Sequence, residues 1–185
     1  SNSKILMDQF IQGYTKTKGA NNYELHYLAE THKNSEHIEA YRKAETILII
    51  FPLYTDSMPG IVKYFFESIY KIPTDKSKKM GFIVQSGFPE TKHSVYVEKY
   101  LENFTKKIGA NYLGTIIKGG VEGIQSRPAR ASKKLFQAFY NLGVHFAENN
   151  TFNEKIKQKL GKMYQLNPFQ LSLLRFFSSL GVVDF

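Results

Sequence analysis

The segment Ile47-Leu48-Ile49-Ile50-Phe51-Pro52-Leu53-Tyr54-Thr55-Asp56-Ser57-Met58-Pro59-Gly60 constrains the fold more than any other part of this chain. Five consecutive apolar residues run straight into a proline. A run without alternation fits a strand buried on both faces, as in a parallel sheet covered by helices. Pro52 has no N–H to give to a ladder, so the strand is expected to end there. Asp56 or Ser57 can cap the helix that follows, and Pro59 suits that helix's first turn. The loop between them then lies at the carboxyl end of a parallel strand, where open α/β sheets bind their ligands.

The rest of the chain supplies the alternation that such a sheet needs. Ile5, Leu6, Phe10, Ile11 and Tyr14 mark one face of a first helix, and Gly19 is a natural stop. Strands are predicted over 23–28, 46–51, 80–85 and 112–118. Helices are predicted over 37–45, 58–71, 95–108 and 127–149. That order argues a doubly wound α/β sheet. With 185 residues, a single domain with a substantial core is expected. Beyond it, 152–163 reads as a basic helix and 169–180 as a short apolar one. The latter fits an element packed on the domain or on a twin subunit, or an amphipathic membrane contact; Gln170, Ser172 and Arg175 exclude a span.

Several chemistries are excluded. The absence of cysteine removes disulfides, thiolate catalysis and Cys-based metal sites. The five histidines (26, 32, 37, 93 and 145) lack metal-ligand spacing and read as surface or loop residues. No Gly-x-Ser-x-Gly elbow, Walker loop or Gly-x-Gly-x-x-Gly loop occurs. No segment reaches the roughly 20 apolar residues of a membrane span. The start is polar and helical rather than signal-like, so a cytoplasmic location is expected. A net charge of +9 suits nucleic acid, an anionic membrane or a phosphorylated cofactor. The lysines are dispersed in small clusters, however, each of which reads as a solvated helix end or loop.

Three loops are brought to one sheet edge by this topology: Ser1-Asn2-Ser3-Lys4 at the start of the first helix, Pro52 to Met58, and Ser86-Gly87-Phe88-Pro89, with Gly119-Gly120 and Glu122 as further neighbours. Hydroxyls, an amide and free N–H groups at a helix N-terminus make a phosphate site, although the same residues would also make an ordinary capped helix start. An aromatic loop and a glycine loop can hold a flat ring. Equally, the first could be a plain strand-to-helix turn, and Gly87 a turn requiring positive φ.

In these residues the chain resembles the flavodoxin-like NAD(P)H-dependent oxidoreductases, the FMN reductase and quinone reductase group. The carriers are Pro52-Leu53-Tyr54, Ser57-Met58-Pro59-Gly60 with Lys63, Phe65 and Phe66 behind, Ser1-Asn2-Ser3 leading into a helix, and Ser86-Gly87-Phe88. The resemblance covers roughly residues 1–150, the flavodoxin-like FMN-binding domain, with 151–185 as a helical extension packed on it. It implies a sheet of order 2-1-3-4-5 with FMN as cofactor and NADH or NADPH as donor. The acceptor would be a quinone, a flavin or a similar small molecule. It implies that Ser1, Asn2, Ser3 and the Lys4 backbone hold the phosphate. Pro52, Leu53, Tyr54, Thr55, Asp56, Ser57 and Met58 would line the ring edge, and Ser86, Gly87 and Phe88 its other side. No catalytic residue of the protein is required, because the flavin supplies the hydride chemistry. A homodimer with neither nucleic acid nor membrane span is implied as well.

The family's first strand precedes its phosphate loop, whereas nothing precedes Ser1 in this sequence. The expectation is that further residues supply it in nature, or that flavin binds poorly, because the strands beside a gap would bury unpaired backbone groups. Two alternatives stand beside the reductase. One is a flavodoxin-type electron carrier, disfavoured because such carriers are acidic; the other is a cofactor-free interaction module.

Overall fold

Three parallel strands form the sheet: β1 (Thr46–Pro52), β2 (Lys79–Gln85) and β3 (Asn111–Lys118), hydrogen-bonded in the order β1-β2-β3. The computed structural model describes residues 1–16, 22–54, 57–74, 76–87 and 94–161. The helices are α1 (Asn2–Lys16), α2 (Asn34–Lys43), α3 (Gly60–Tyr70), α4 (Ser94–Lys107), α5 (Ala129–Asn149) and α6 (Glu154–Gly161). The apolar run 169–180 lies outside the described residues, as do Thr55, Asp56 and Phe88.

β2 is the central strand, and Met80 to Gln85 are all buried. Its side chains alternate between two cores. Met80, Phe82 and Val84 join one core with Ile49 and Phe51 of β1, Val62, Phe65, Phe66 and Ile69 of α3, and Leu101 and Phe104 of α4. Ile83 joins the other with Leu6 and Phe10 of α1, Ile116 of β3, and Phe139, Leu142 and Phe146 of α5. A strand buried on both faces has no polar face to show, which is why its sequence runs without alternation. β1 is less enclosed than that rule suggested. Only Ile49 and Phe51 are fully buried, while Leu48 and Ile50 are partly buried against the second core. It is an edge strand among the described residues, and an edge exposes more of each face.

Two glycines let α1 and α5 touch backbone to backbone. A Cβ at Gly13 would stand 1.9 Å from the Tyr140 carbonyl oxygen, and one at Gly143 would stand 1.9 Å from that of Phe10. Another close approach seats the chain beyond α5. Phe152 is buried over Gly81, where a Cβ would come within 2.9 Å of its ring. Phe152 and Leu160 thereby anchor α6 on the second core.

Residues 23–28 do not form a strand. They run irregularly, with Tyr23, Leu25 and Tyr27 exposed. The alternation that suggested a strand has no neighbouring strand to pair with among the described residues. What holds this segment is contact with helices: the His26 ring packs edge-on against His37 of α2, and Leu28 lies against the first core. His37 is itself buried, contrary to its reading as a surface or loop residue. The far end of α2 is closed by Lys78, whose ammonium donates to the carbonyls of Tyr41 (2.8 Å), Arg42 (3.4 Å) and Ala44. A cation there complements the negative end of the helix.

Candidate functional site at the carboxyl edge of the sheet

Hydrogen bonds tie four segments together at the carboxyl ends of the strands. The Leu53 N–H, just past β1, donates to the Gln85 carbonyl (2.7 Å). The Ser86 N–H, just past β2, donates to the Lys118 carbonyl (3.0 Å), and the Val121 N–H returns to the Ser86 carbonyl (3.1 Å). The N-terminus of α1 joins them through side chains. The Asn2 amide donates to the Val121 carbonyl (3.0 Å), and the Gln85 amide donates to the Ser3 hydroxyl (3.2 Å).

Ser1 caps α1. Its carbonyl accepts from the Ile5 N–H (3.2 Å) and its hydroxyl from the Lys4 N–H (3.4 Å). The N–H groups of Asn2 and Ser3 have no intrahelical carbonyl to meet, as in the first turn of any helix, and so remain available to an anion. The Lys4 side chain turns aside to pair with Asp8 (2.9 Å).

Tyr54 and Ser57 exchange two backbone hydrogen bonds of 3.0 and 3.1 Å. This leaves the Tyr54 side chain 67% exposed, a free aromatic face beside the edge. Ser57 does not cap α3, nor does any other described side chain. Pro59 takes that place, and its carbonyl accepts from the Val62 and Lys63 N–H groups, so the helix starts at Gly60 rather than Met58. Leu53 is buried in the first core with its N–H already used, and Met58 packs partly against the same core.

Ser86 is buried, and Gly87 has no positive φ. Its lack of a side chain matters for another reason: a Cβ would stand 2.1 Å from a carboxylate oxygen of Glu122. Glu122 thus lies over the glycine loop, on the turn that Gly120 (φ 72°) begins.

The edge also holds cations that sequence reasoning missed. Lys118 is half-buried at the end of β3, and burial and then the nearby Arg127 guanidinium hold its ammonium below its ordinary pKa. Gln85 and Lys118 were both legible in principle: each is a polar residue closing an apolar strand at the ligand-binding end. Among the described residues no His, Cys, Asp and Glu cluster could hold a metal.

A family model described as flavodoxin-like fold matches residues 1–141. The chain belongs to that family. Its flavodoxin-like sheet also resembles solved structures, all at low identity. An NADH:FMN oxidoreductase, EMOB, shares 12% identity with a TM-score of 0.56, over 92% of this chain and 86% of that one. An NAD(P)H:quinone oxidoreductase from Methanothermobacter marburgensis shares 17%, with a TM-score of 0.53 over 79% and 90%. An FMN-dependent NADH-azoreductase from Bacillus anthracis, in complex with FMN, shares 16%, with a TM-score of 0.53 over 80% and 92%. No curated protein sequence matches the chain.

Proposed function

We propose that this protein is an FMN-dependent oxidoreductase that takes a hydride from NADH or NADPH and passes electrons to a quinone, a flavin or a similar small acceptor. The observation that carries this reading is the convergence of the α1 N-terminus, the bridged pair Tyr54 and Ser57, and the Ser86–Gly87 loop at one sheet edge, tied through Gln85 and Val121. The donor set suits a phosphorylated flavin. Free N–H groups at a helix N-terminus, with a hydroxyl on either side, match a phosphate. The exposed Tyr54 ring offers a flat apolar face to an aromatic ring. The solved structures of similar fold, an NADH:FMN oxidoreductase, an NAD(P)H:quinone oxidoreductase and an FMN-dependent NADH-azoreductase, support the same reading.

In this scheme Ser1, Asn2, Ser3 and the Lys4 backbone hold the phosphate. Pro52 to Met58 line one edge of the ring, and Ser86 to Phe88 approach it from the other side. FMN when bound supplies the hydride acceptor and donor chemistry. The protein's residues bind and orient; no side chain need transfer a proton to the substrate. Residues 1–150 serve as the flavin-binding domain and 151–185 as its extension, in a protein placed in the cytoplasm. The net charge of +9 favours capture of anionic nucleotides and disfavours the electron-carrier alternative.

The test is spectroscopic. The purified protein is titrated with FMN, then mixed with NADPH without oxygen. Flavin that binds and bleaches within seconds supports the reductase. Flavin that binds and stays oxidised with both NADH and NADPH points to a carrier, and absence of flavin binding overturns the cofactor assignment.

A further inference from the structure

Lys118 is a cation at the ligand-binding edge that the family resemblance does not assign. It ends β3, and its register partner is Gln85, the last residue of β2. Paired residues on adjacent strands project to the same face of a sheet. The face in question is the one covered by α1 and α5: Ile83 and Ile116, also paired, both lie in the core that those helices close. Gln85 itself reaches Ser3 at the first turn of α1. Lys118 therefore stands one strand over from the side chain that reaches the first turn of α1, on the same face of the sheet.

Nothing described balances its charge. No carboxylate pairs with Lys118 among the described residues, and the ionisable neighbour that acts on it is Arg127, another cation. Other lysines in this chain do pair: Lys4 with Asp8, Lys33 with Glu30, Lys106 with Glu102 and Lys157 with Glu98. A half-buried cation beside a second cation is a costly arrangement without an anion. The N–H groups of Asn2 and Ser3 add partial positive charge on the same side.

We infer that Lys118, seconded by Arg127, is the counter-charge of a phosphate-monoester site shared with the first turn of α1. The inference extends the proposed function, on which it partly rests, by adding a charged binding residue to the set Ser1–Lys4. A phosphate monoester has two sources here, the 5′-phosphate of FMN and the 2′-phosphate of NADPH. Riboflavin and NADH carry the same rings without it.

The experiment compares wild type with Lys118→Gln and the charge-keeping Lys118→Arg, each first shown to be folded by circular dichroism and melting temperature. Dissociation constants are measured for FMN and riboflavin by fluorescence, and for NADPH and NADH by calorimetry. The expected result is that Lys118→Gln weakens FMN about tenfold or more, leaves riboflavin unchanged and is restored by Lys118→Arg. Should the loss fall instead on NADPH and spare NADH, the site stands and its source is the 2′-phosphate. If wild type binds no FMN, the flavin reading fails separately. The site is then read with inorganic phosphate, which should raise the melting temperature of wild type and of Lys118→Arg but not of Lys118→Gln. Equal binding of FMN, NADPH and inorganic phosphate by wild type and Lys118→Gln overturns the inference, and so does parallel loss of FMN and riboflavin.

Discussion

His37 lies buried in α2 with the His26 ring 5.8 Å away, edge to face. Burial pushes its pKa below the ordinary 6.5, the His26 charge pushes the same way, Glu30 and Glu36 oppose, and Lys33 adds to the depression. A histidine that resists its proton when folded gives the unfolded chain the stronger claim on it. Its contribution to stability is therefore full above about pH 6.5 and is lost as pH falls from there toward the folded value. Urea midpoints measured between pH 7.5 and 5 should decline in the wild type and decline less in His37→Gln. His26→Gln should share part of that flattening; an unchanged pH slope in both variants would remove His37 as the cause. Nothing in the sequence distinguished this histidine from His32 five residues before it, because the burial comes from the folding-back of 22–28 onto α2. Gln85 and Lys118 were missed for a related reason. A polar residue at a strand's end reads as the start of a loop, until the register shows that both project to one face of the sheet.

At the scale of elements, legibility followed burial. β2 and α3 stand out in the sequence because both are heavily buried, and their boundaries came within two residues. The expected strand over 23–28 failed because alternation records only that one side is covered, not what covers it. The α1–α5 crossing could not be read at all, since a helical glycine looks like a weakness in isolation. In the fold, Gly143 is required: an alanine Cβ would press on the Phe10 carbonyl oxygen at 1.9 Å and on the Tyr14 nitrogen at 2.9 Å. Backbone on a packed helix cannot retreat as a flexible side chain can. Gly143→Ala should therefore cost about 3 kcal/mol, against the gain of up to about 1 kcal/mol that alanine brings to an open helical position. Gly60→Ala is the matched control, because its Cβ meets nothing within 4 Å. It should stabilise by about 0.5 kcal/mol. Urea denaturation of the two variants should thus give opposite signs.

Across the whole molecule, the two faces of the sheet end differently. On the α3–α4 side, an open groove of about 850 Å³ runs between the helices, lined by Tyr64, Tyr70, Tyr100, Phe104 and their neighbours. Tyr64, Tyr70, Tyr96 and Tyr100 are all about half exposed or more. Tyrosines with this much free face are the residues that anchor interfaces. The ion pairs Lys63–Glu67 and Glu102–Lys106 keep the same helices locally near neutral in a chain of +9. We propose this face as the contact of a homodimer. At micromolar concentration, light scattering should then give twice the 21.3 kDa chain mass, and Tyr100→Glu should give the single-chain mass while leaving the melting curve cooperative. Salt separates this contact from the anion site at the opposite sheet edge. Two copies of +9 repel each other, so raising salt from about 20 to 150 mM, which shortens the screening length to about 8 Å, should strengthen the dimer. The same change should weaken FMN and NADPH binding, which draw on the positive field. Dimer and ligand affinities that move together with salt would show that one of the two surfaces has been misplaced.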